Sequence, residues 1–166
     1  GMEVCAIQLP GRANRFREKP LESIPAIVEQ LMPALQPFLD RPYAIFGHSM
    51  GAIVAYELAL QLRQQRVPQP THLFLSSRRP PGIRGVVPDL RGLTDDDFVA
   101  AIMRYYGGIP GEILREPELL ALLLPCLRAD IAALELYGPR EVPPLEVPIT
   151  AYAGRDDRST PVEHLE

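Results

Sequence analysis

The run Tyr43-Ala44-Ile45-Phe46-Gly47-His48-Ser49-Met50-Gly51-Ala52-Ile53-Val54-Ala55-Tyr56 joins a short apolar stretch to a longer apolar one through a Gly-x-Ser-x-Gly turn. Tyr43–Phe46 reads as a buried strand. Ala52–Leu62 reads as a helix apolar nearly all round, the pattern of a helix enclosed by a larger body. A serine between such a strand and helix is the nucleophile-elbow pattern. Glycine at the flanking positions leaves room for a very sharp turn, in which the serine takes a strained backbone conformation. The hydroxyl then stands above the sheet edge at a helix N-terminus, where the dipole and unpaired N–H groups favour a developing oxyanion. Ser49 is therefore the candidate nucleophile, and the backbone N–H of Met50 the candidate oxyanion donor. The alternative is that Ser49 only caps a helix in a Gly-rich turn.

Upstream, Val4–Leu9 is a mostly apolar run stopped by Pro10-Gly11 and predicts a further buried strand. A basic loop follows with Arg12, Arg15, Arg17 and Lys19. From Leu21 to Leu39 apolar residues fall at helical spacing, with Pro25 suited to a first turn and Pro33 expected to kink the helix. Downstream, Val67-Pro68-Gln69-Pro70 ends the helix after the elbow, and Thr71–Ser77 predicts another strand. Strands alternating with helices imply a parallel α/β sheet.

The alternation stops at about residue 79 and resumes only after 140. Thr94-Asp95-Asp96-Asp97 is a capping-box start with acids where a helix dipole favours them. Gly107–Gly111 ends that helix, and Pro117–Tyr137 predicts another, broken at Pro125. Val147–Ala153 is the last predicted strand, with Gly154-Arg155-Asp156-Asp157 at its carboxyl end. A helical excursion of this kind between two strands, at 79–140, is how a lid is built.

Composition narrows the classes. The chain has 166 residues, the size of a single domain, with 46% hydrophobic and 23% charged residues, which excludes wholesale disorder. The longest charge-free run, Pro42–Tyr56, is 15 residues, short of the ~20 needed to span a bilayer. A net charge of −4 argues against nucleic acid as a general partner. Two cysteines, Cys5 and Cys126, make no disulfide framework, so a reducing, cytoplasmic setting is expected.

Several segments in order resemble the type II thioesterases that accompany nonribosomal peptide and polyketide synthases. They are Gln8-Leu9-Pro10-Gly11-Arg12, Phe46–Ala52, Glu57-Leu58-Ala59, Ser77-Arg78-Arg79-Pro80-Pro81, Gly107-Gly108-Ile109-Pro110, Leu127-Arg128-Ala129-Asp130 and Gly154–Asp157. The resemblance covers nearly the whole chain. It implies an α/β-hydrolase fold, a mostly parallel sheet flanked by helices with a helical lid inserted. It also implies cleavage of acyl groups from the phosphopantetheine arm of a carrier protein through a serine acyl-enzyme, with no metal or cofactor.

In that family the acid follows the last of these strands, at the position of Asp157, with Asp156 next in line. Its work would be to fix a histidine tautomer and stabilise the imidazolium. Read from spacing alone, Asp157 also suits a turn or a cap for a helix starting near Pro161. The chain has three histidines. His48 lies inside the elbow, His72 begins a strand at the far end of the sheet, and His164 follows Asp157 closely. The resemblance places a helix and a strand between acid and histidine, so the catalytic histidine is expected to be missing from these residues. The family also begins with a further strand and an Ala-Gly-Gly loop that supplies the second oxyanion donor. The expectation is a single, partial domain over 1–166 with an incomplete sheet and little activity on its own.

Other residues carry weaker signals. Glu57, in a helix expected to be buried, needs a partner, and a structural hydrogen bond or an arginine is preferred to catalysis. Arg128 and Asp130 read as a structural polar pair in the lid. The basic loop Arg12–Lys19 is either solvated or a contact for an acidic carrier protein. Cys5 and Cys126 are expected to be buried and inert. Two further functions stay open, another serine esterase or acyltransferase, and a non-catalytic module that binds a carrier protein.

Overall fold

The structure is a computed structural model that describes residues 1–83, 88–138, 140–157 and 160–165. The chain divides into two compact units, one of residues 24–88 and 136–166, the other of residues 1–23 and 89–135.

The first unit is built on three parallel strands, β1 (Ala44–His48), β2 (His72–Ser76) and β3 (Ile149–Tyr152), in the order β1-β2-β3. The register pairs His48 with Ser76 and Ser76 with Tyr152, so the carboxyl ends of all three strands lie level. Helix α2 (Met50–Gln64) packs on β1 and β2, and α1 (Ile24–Leu35) packs on α2. Crossovers of this kind bury both faces of α2, which is why its sequence shows no polar stripe. Ala52, Ala55, Leu58, Ala59 and Leu62 are all buried, together with Ile24 and Ile27 of α1 and Leu73 of β2. Pro33 lies inside α1, which ends two residues later in a short 3-10 turn at Gln36–Phe38.

The second unit is helical. It holds α3 (Asp95–Tyr105), the one-turn α4 (Gly111–Leu114) and α5 (Pro117–Glu135) with the amino-terminal residues. Thr94 caps α3, its Oγ1 accepting the N–H of Asp97. Phe98, Ile102, Leu90 and Ile131 form its apolar centre. Helix α5 runs unbroken through Pro125, contrary to the expected break. A proline removes one intrahelical bond but its fixed φ is helical, and the burial of Leu124, Cys126 and Ala129 on both sides holds the two halves in line.

Three further expectations do not hold. Val4–Leu9 forms no strand, and Val4 is 85% exposed. A strand requires a ladder partner for its N–H and C=O groups, and among the described residues no segment pairs with residues 4–9. Cys5 is consequently exposed, whereas Cys126 is buried with its thiol donating to the Gly11 carbonyl. Arg128 and Asp130 do not pair with each other. One turn of helix separates neighbours on a face by three or four residues, not two. Arg128 instead binds Asp95 and the Leu93 carbonyl and stacks over Phe98, while Asp130 takes Arg12 through two parallel bonds of 2.8 and 3.1 Å. The basic loop is internally paired as well, with Arg15 on Glu18 and Lys19 near Glu22.

Candidate active site

The site is made where the three strands end. At the close of β1 the chain passes from extended backbone into Ser49 at φ +53 and ψ −115, then directly into α2. A positive φ is rare for a residue with a Cβ, and this ψ lies outside the left-handed helical well, so the conformation is strained. Two neighbours make it possible. Gly47 is glycine because an added Cβ would lie 2.1 Å from the Gly51 carbonyl oxygen and 2.7 Å from the Ala52 nitrogen. The N–H of Ser49 donates to the Ser76 carbonyl at 2.8 Å, extending the β1–β2 ladder by one bond. Gly51 is different, since a Cβ there meets nothing within 4 Å. The collision expected at both glycines exists only at Gly47.

Ser49 is the N-cap residue of α2, yet its side chain makes no capping bond. Its hydroxyl is therefore not committed to the backbone, as a plain N-cap would require. Met50 is the first residue of α2, so its N–H has no carbonyl one turn earlier within the helix and points out of the N-terminus. The dipole of a 15-residue helix acts at the same place.

Asp157 follows β3 at the same edge, two strand spacings from β1, or about 9.6 Å across the sheet. Its N–H donates to the Gly154 carbonyl at 3.1 Å and its Oδ1 accepts the N–H of Thr160 at 3.1 Å. Asp157 thus caps a turn, as its spacing suggests, on the strand edge where an acid would serve Ser49. Asp156 is exposed, whereas Asp157 is half-buried.

Each of the three histidines has a hydrogen-bond partner other than Ser49. His48 is hydrogen-bonded through Nδ1 to Ser76 Oγ at 3.0 Å. His72 pairs with Thr150 Oγ1 at 2.8 Å and stacks on Phe74, at the amino-terminal end of β2. His164 sits in a 3-10 turn, Val162–His164, where its Nδ1 accepts the Nε–H of Arg79 at 3.2 Å. With Nδ1 accepting that bond, the neutral ring carries its proton on Nε2.

The Arg79–His164 and Ser76–His48 pairs have no signal in the sequence pattern. Arg79 lies inside the Ser77–Pro81 segment of the family resemblance, but a partner 85 residues away has no local signature. Ser76 offers only its position near the end of a predicted strand. Glu57 has the partners its burial demands, the Tyr137 hydroxyl at 2.8 Å and the Arg140 guanidinium. Among the described residues no three His, Cys, Asp or Glu side chains cluster as metal ligands would. No helix among them is long and apolar enough to cross a membrane.

A parallel sheet whose strand delivers a strained serine to the N-terminus of a buried helix is the arrangement of the α/β-hydrolase class. Within that class the chain belongs to the Thioesterase domain family, whose model matches residues 1–166. It is 41% identical to the gramicidin S biosynthesis protein GrsT of Aneurinibacillus migulanus over 165 residues, covering 99% of this chain and 64% of that protein. Its structure is similar to RedJ, a thioesterase from the prodiginine pathway of Streptomyces coelicolor, with a TM-score of 0.84 and 37% identity over 95% of this chain and 59% of that one. It is also similar to YbtT, the type II thioesterase from the yersiniabactin NRPS/PKS pathway, with a TM-score of 0.83 and 32% identity over 95% of this chain and 64% of the other. The chain therefore spans about three fifths of the length of these relatives.

Proposed function

We propose that this chain carries the nucleophile and acid of a serine thioesterase that removes acyl or aminoacyl groups from the phosphopantetheine arm of a carrier protein, in the service of a nonribosomal peptide or polyketide synthase. The observation that carries the reading is the backbone of Ser49, held at φ +53 with its hydroxyl uncommitted at the N-terminus of α2. Ser49 Oγ attacks the thioester carbonyl, the Met50 N–H receives the developing oxyanion, and the thiol leaves. Water then releases the acyl group as an acid. Asp157 serves by orienting the imidazole that takes the Ser49 proton. No metal or cofactor enters the proposed steps. The setting is taken to be the cytoplasm, where carrier proteins are loaded.

The base is not assigned to His48, His72 or His164, each of which has one ring nitrogen hydrogen-bonded to another partner, Ser76, Thr150 and Arg79 in turn. The 166-residue chain by itself is thus proposed to turn over weakly or not at all. The test compares hydrolysis of an acyl-loaded carrier protein by the natural full chain and by its Ser49→Ala variant. Loss of turnover with Ser49→Ala supports the proposal, and retained turnover overturns it.

The arrangement of His164 favours one second reading, a non-catalytic module that binds an acyl carrier protein. Binding of the carrier by a natural full chain that shows no turnover on thioesters or oxygen esters would establish it.

A further inference from the structure

Ser76 contacts both residues that frame the proposed nucleophile. Its carbonyl accepts the Ser49 N–H at 2.8 Å, and its Oγ is hydrogen-bonded to His48 Nδ1 at 3.0 Å. These contacts follow from the register. His48 and Ser76 are direct partners in the β1–β2 ladder, the last pair before both strands end. The chain beyond each strand then turns into positive φ, +53 at Ser49 and +49 at Ser77. Ser77 is tied in the same manner, its N–H donating to the Tyr152 carbonyl at 2.8 Å. Ser76 therefore sits beside both strained turns, and it bonds to the residue before the nucleophile as well as to the nucleophile itself.

A strained conformer persists only where its surroundings over-determine it. One backbone bond fixes the nitrogen of Ser49 but leaves rotation about the bonds that set its Cβ. The His48 imidazole belongs to the residue just before Ser49 and is exposed apart from its bond to Ser76. Tethering its Nδ1 to Ser76 fixes the 48–49 junction from the other side. A displacement of about 1 Å at a reacting atom is enough to reduce rate by about 100-fold.

We propose that the Ser76 side chain is a positioning residue for Ser49, acting through His48 to hold the elbow in its reactive conformation. The inference rests on the thioesterase reading above. It assigns the Ser76 hydroxyl a role in kcat, since the group touches neither substrate nor leaving group as proposed, and it gives His48 a role other than that of base.

The experiment uses the natural full chain and a simple acyl thioester, with Ser49→Ala, Ser76→Ala, Ser76→Thr, His48→Ala and the double variant Ser76→Ala/His48→Ala. Ser76→Ala is expected to lower kcat about threefold to tenfold, the equivalent of one hydrogen bond, with KM unchanged. Ser76→Thr, which keeps the hydroxyl, is expected to restore most of that loss. The double variant is expected to be no slower than the worse single variant, because both remove the same tether. Unchanged kcat in Ser76→Ala, a fall carried by KM, no rescue by Ser76→Thr, or multiplicative losses in the double variant would each overturn the inference. Turnover retained by Ser49→Ala would instead overturn the thioesterase reading itself. Circular dichroism melting of each variant separates loss of fold from loss of position, and a Ser76→Ala protein that melts as the wild type while losing kcat supports the inference.

Discussion

The Cβ that Gly47 lacks would lie 2.1 Å from the carbonyl oxygen of Gly51, closer than any side-chain atom can stand to backbone. The elbow closes on itself at that point, and the end of β1 and the first turn of α2 share the space of one methyl group. Gly47→Ala therefore cannot be absorbed by a rotamer change and must move main chain. We expect a loss of at least about 3 kcal/mol, at the upper end for a single substitution. Gly51→Ala is the matched control, because its Cβ is free and alanine favours helix by up to about 1 kcal/mol. Urea denaturation of the two variants should place them on opposite sides of the wild type.

Glu57 supplies a second prediction. It is 8% exposed on α2 and binds the Tyr137 hydroxyl and Arg140, both just beyond the end of α5 in sequence. Glu57→Ala leaves the half-buried Tyr137 hydroxyl without its acceptor, while the exposed Arg140 guanidinium turns to water, so a loss of about 1–3 kcal/mol is expected in denaturant melts. Arg63 reinforces the same connection, donating to the carbonyls of Pro143 and Pro144 at 3.0 and 2.7 Å. Arg63→Ala should cost less, about 1 kcal/mol, since its partners can turn to water.

Tyr137 also makes the fold sensitive to alkali. Burial, followed by the bond to the Glu57 carboxylate, pushes its phenol well above the ordinary tyrosine range. The folded-state pKa is raised above the unfolded one, so the stabilisation is complete below the unfolded value of about 10 and is lost as pH climbs beyond it. Titration followed by phenolate absorbance should show a tyrosine that ionises above the ordinary tyrosine range. Tyr137→Phe should remove that late step, and its persistence in the variant would refute the assignment.

The two cysteines should differ in reactivity. Cys5 is exposed in a segment without regular structure, whereas the Cys126 thiol is buried and donates to Gly11. An aromatic disulfide reagent at neutral pH should modify one thiol quickly and the other at least about tenfold more slowly. Cys5→Ser should eliminate the fast phase alone.

The features legible in the sequence are those whose causes are local. Gly47, Ser49 and the apolar run after them carry a strand, a turn and a helix within a short span, and Thr94 with Asp97 carries a cap within one turn. Val4–Leu9 misleads for the opposite reason. Its apolar pattern is that of a strand, but a strand exists by pairing, and pairing is decided by residues far along the chain. The same holds for Arg12 with Asp130, which are 118 positions apart, and for Ser76 with His48, 28 apart. Asp157 lies between these cases. Its spacing from the last strand allows both a cap and an acid, and the bond from Thr160 shows the cap.

Glu135 gives the last prediction, at the end of α5 in the helical unit. Its Oε1 accepts the Leu90 N–H at 2.7 Å, while the buried Oε2 lies 3.3 Å from Arg91 Nε without a hydrogen bond of good geometry. Asp89 takes the better share of Arg91, through bonds of 2.7 and 3.0 Å. Desolvation thus outweighs the bond from Leu90 and the pull of the shared arginine, and the Glu135 carboxyl is raised above its ordinary range. A raised folded pKa favours the native state below the unfolded value of about 4.3, and that gain is lost as pH rises through the folded value. At pH 7 the ionised group is therefore a burden on the fold. Glu135→Gln keeps an acceptor for Leu90 and removes the charge, so it should stabilise the protein at pH 7, read as a higher Tm than the wild type. The gain should shrink as pH is lowered, because the wild-type carboxyl then takes up its proton as well. A variant less stable than the wild type at pH 7 would mean that the Arg91 pairing, and not burial, governs this carboxylate.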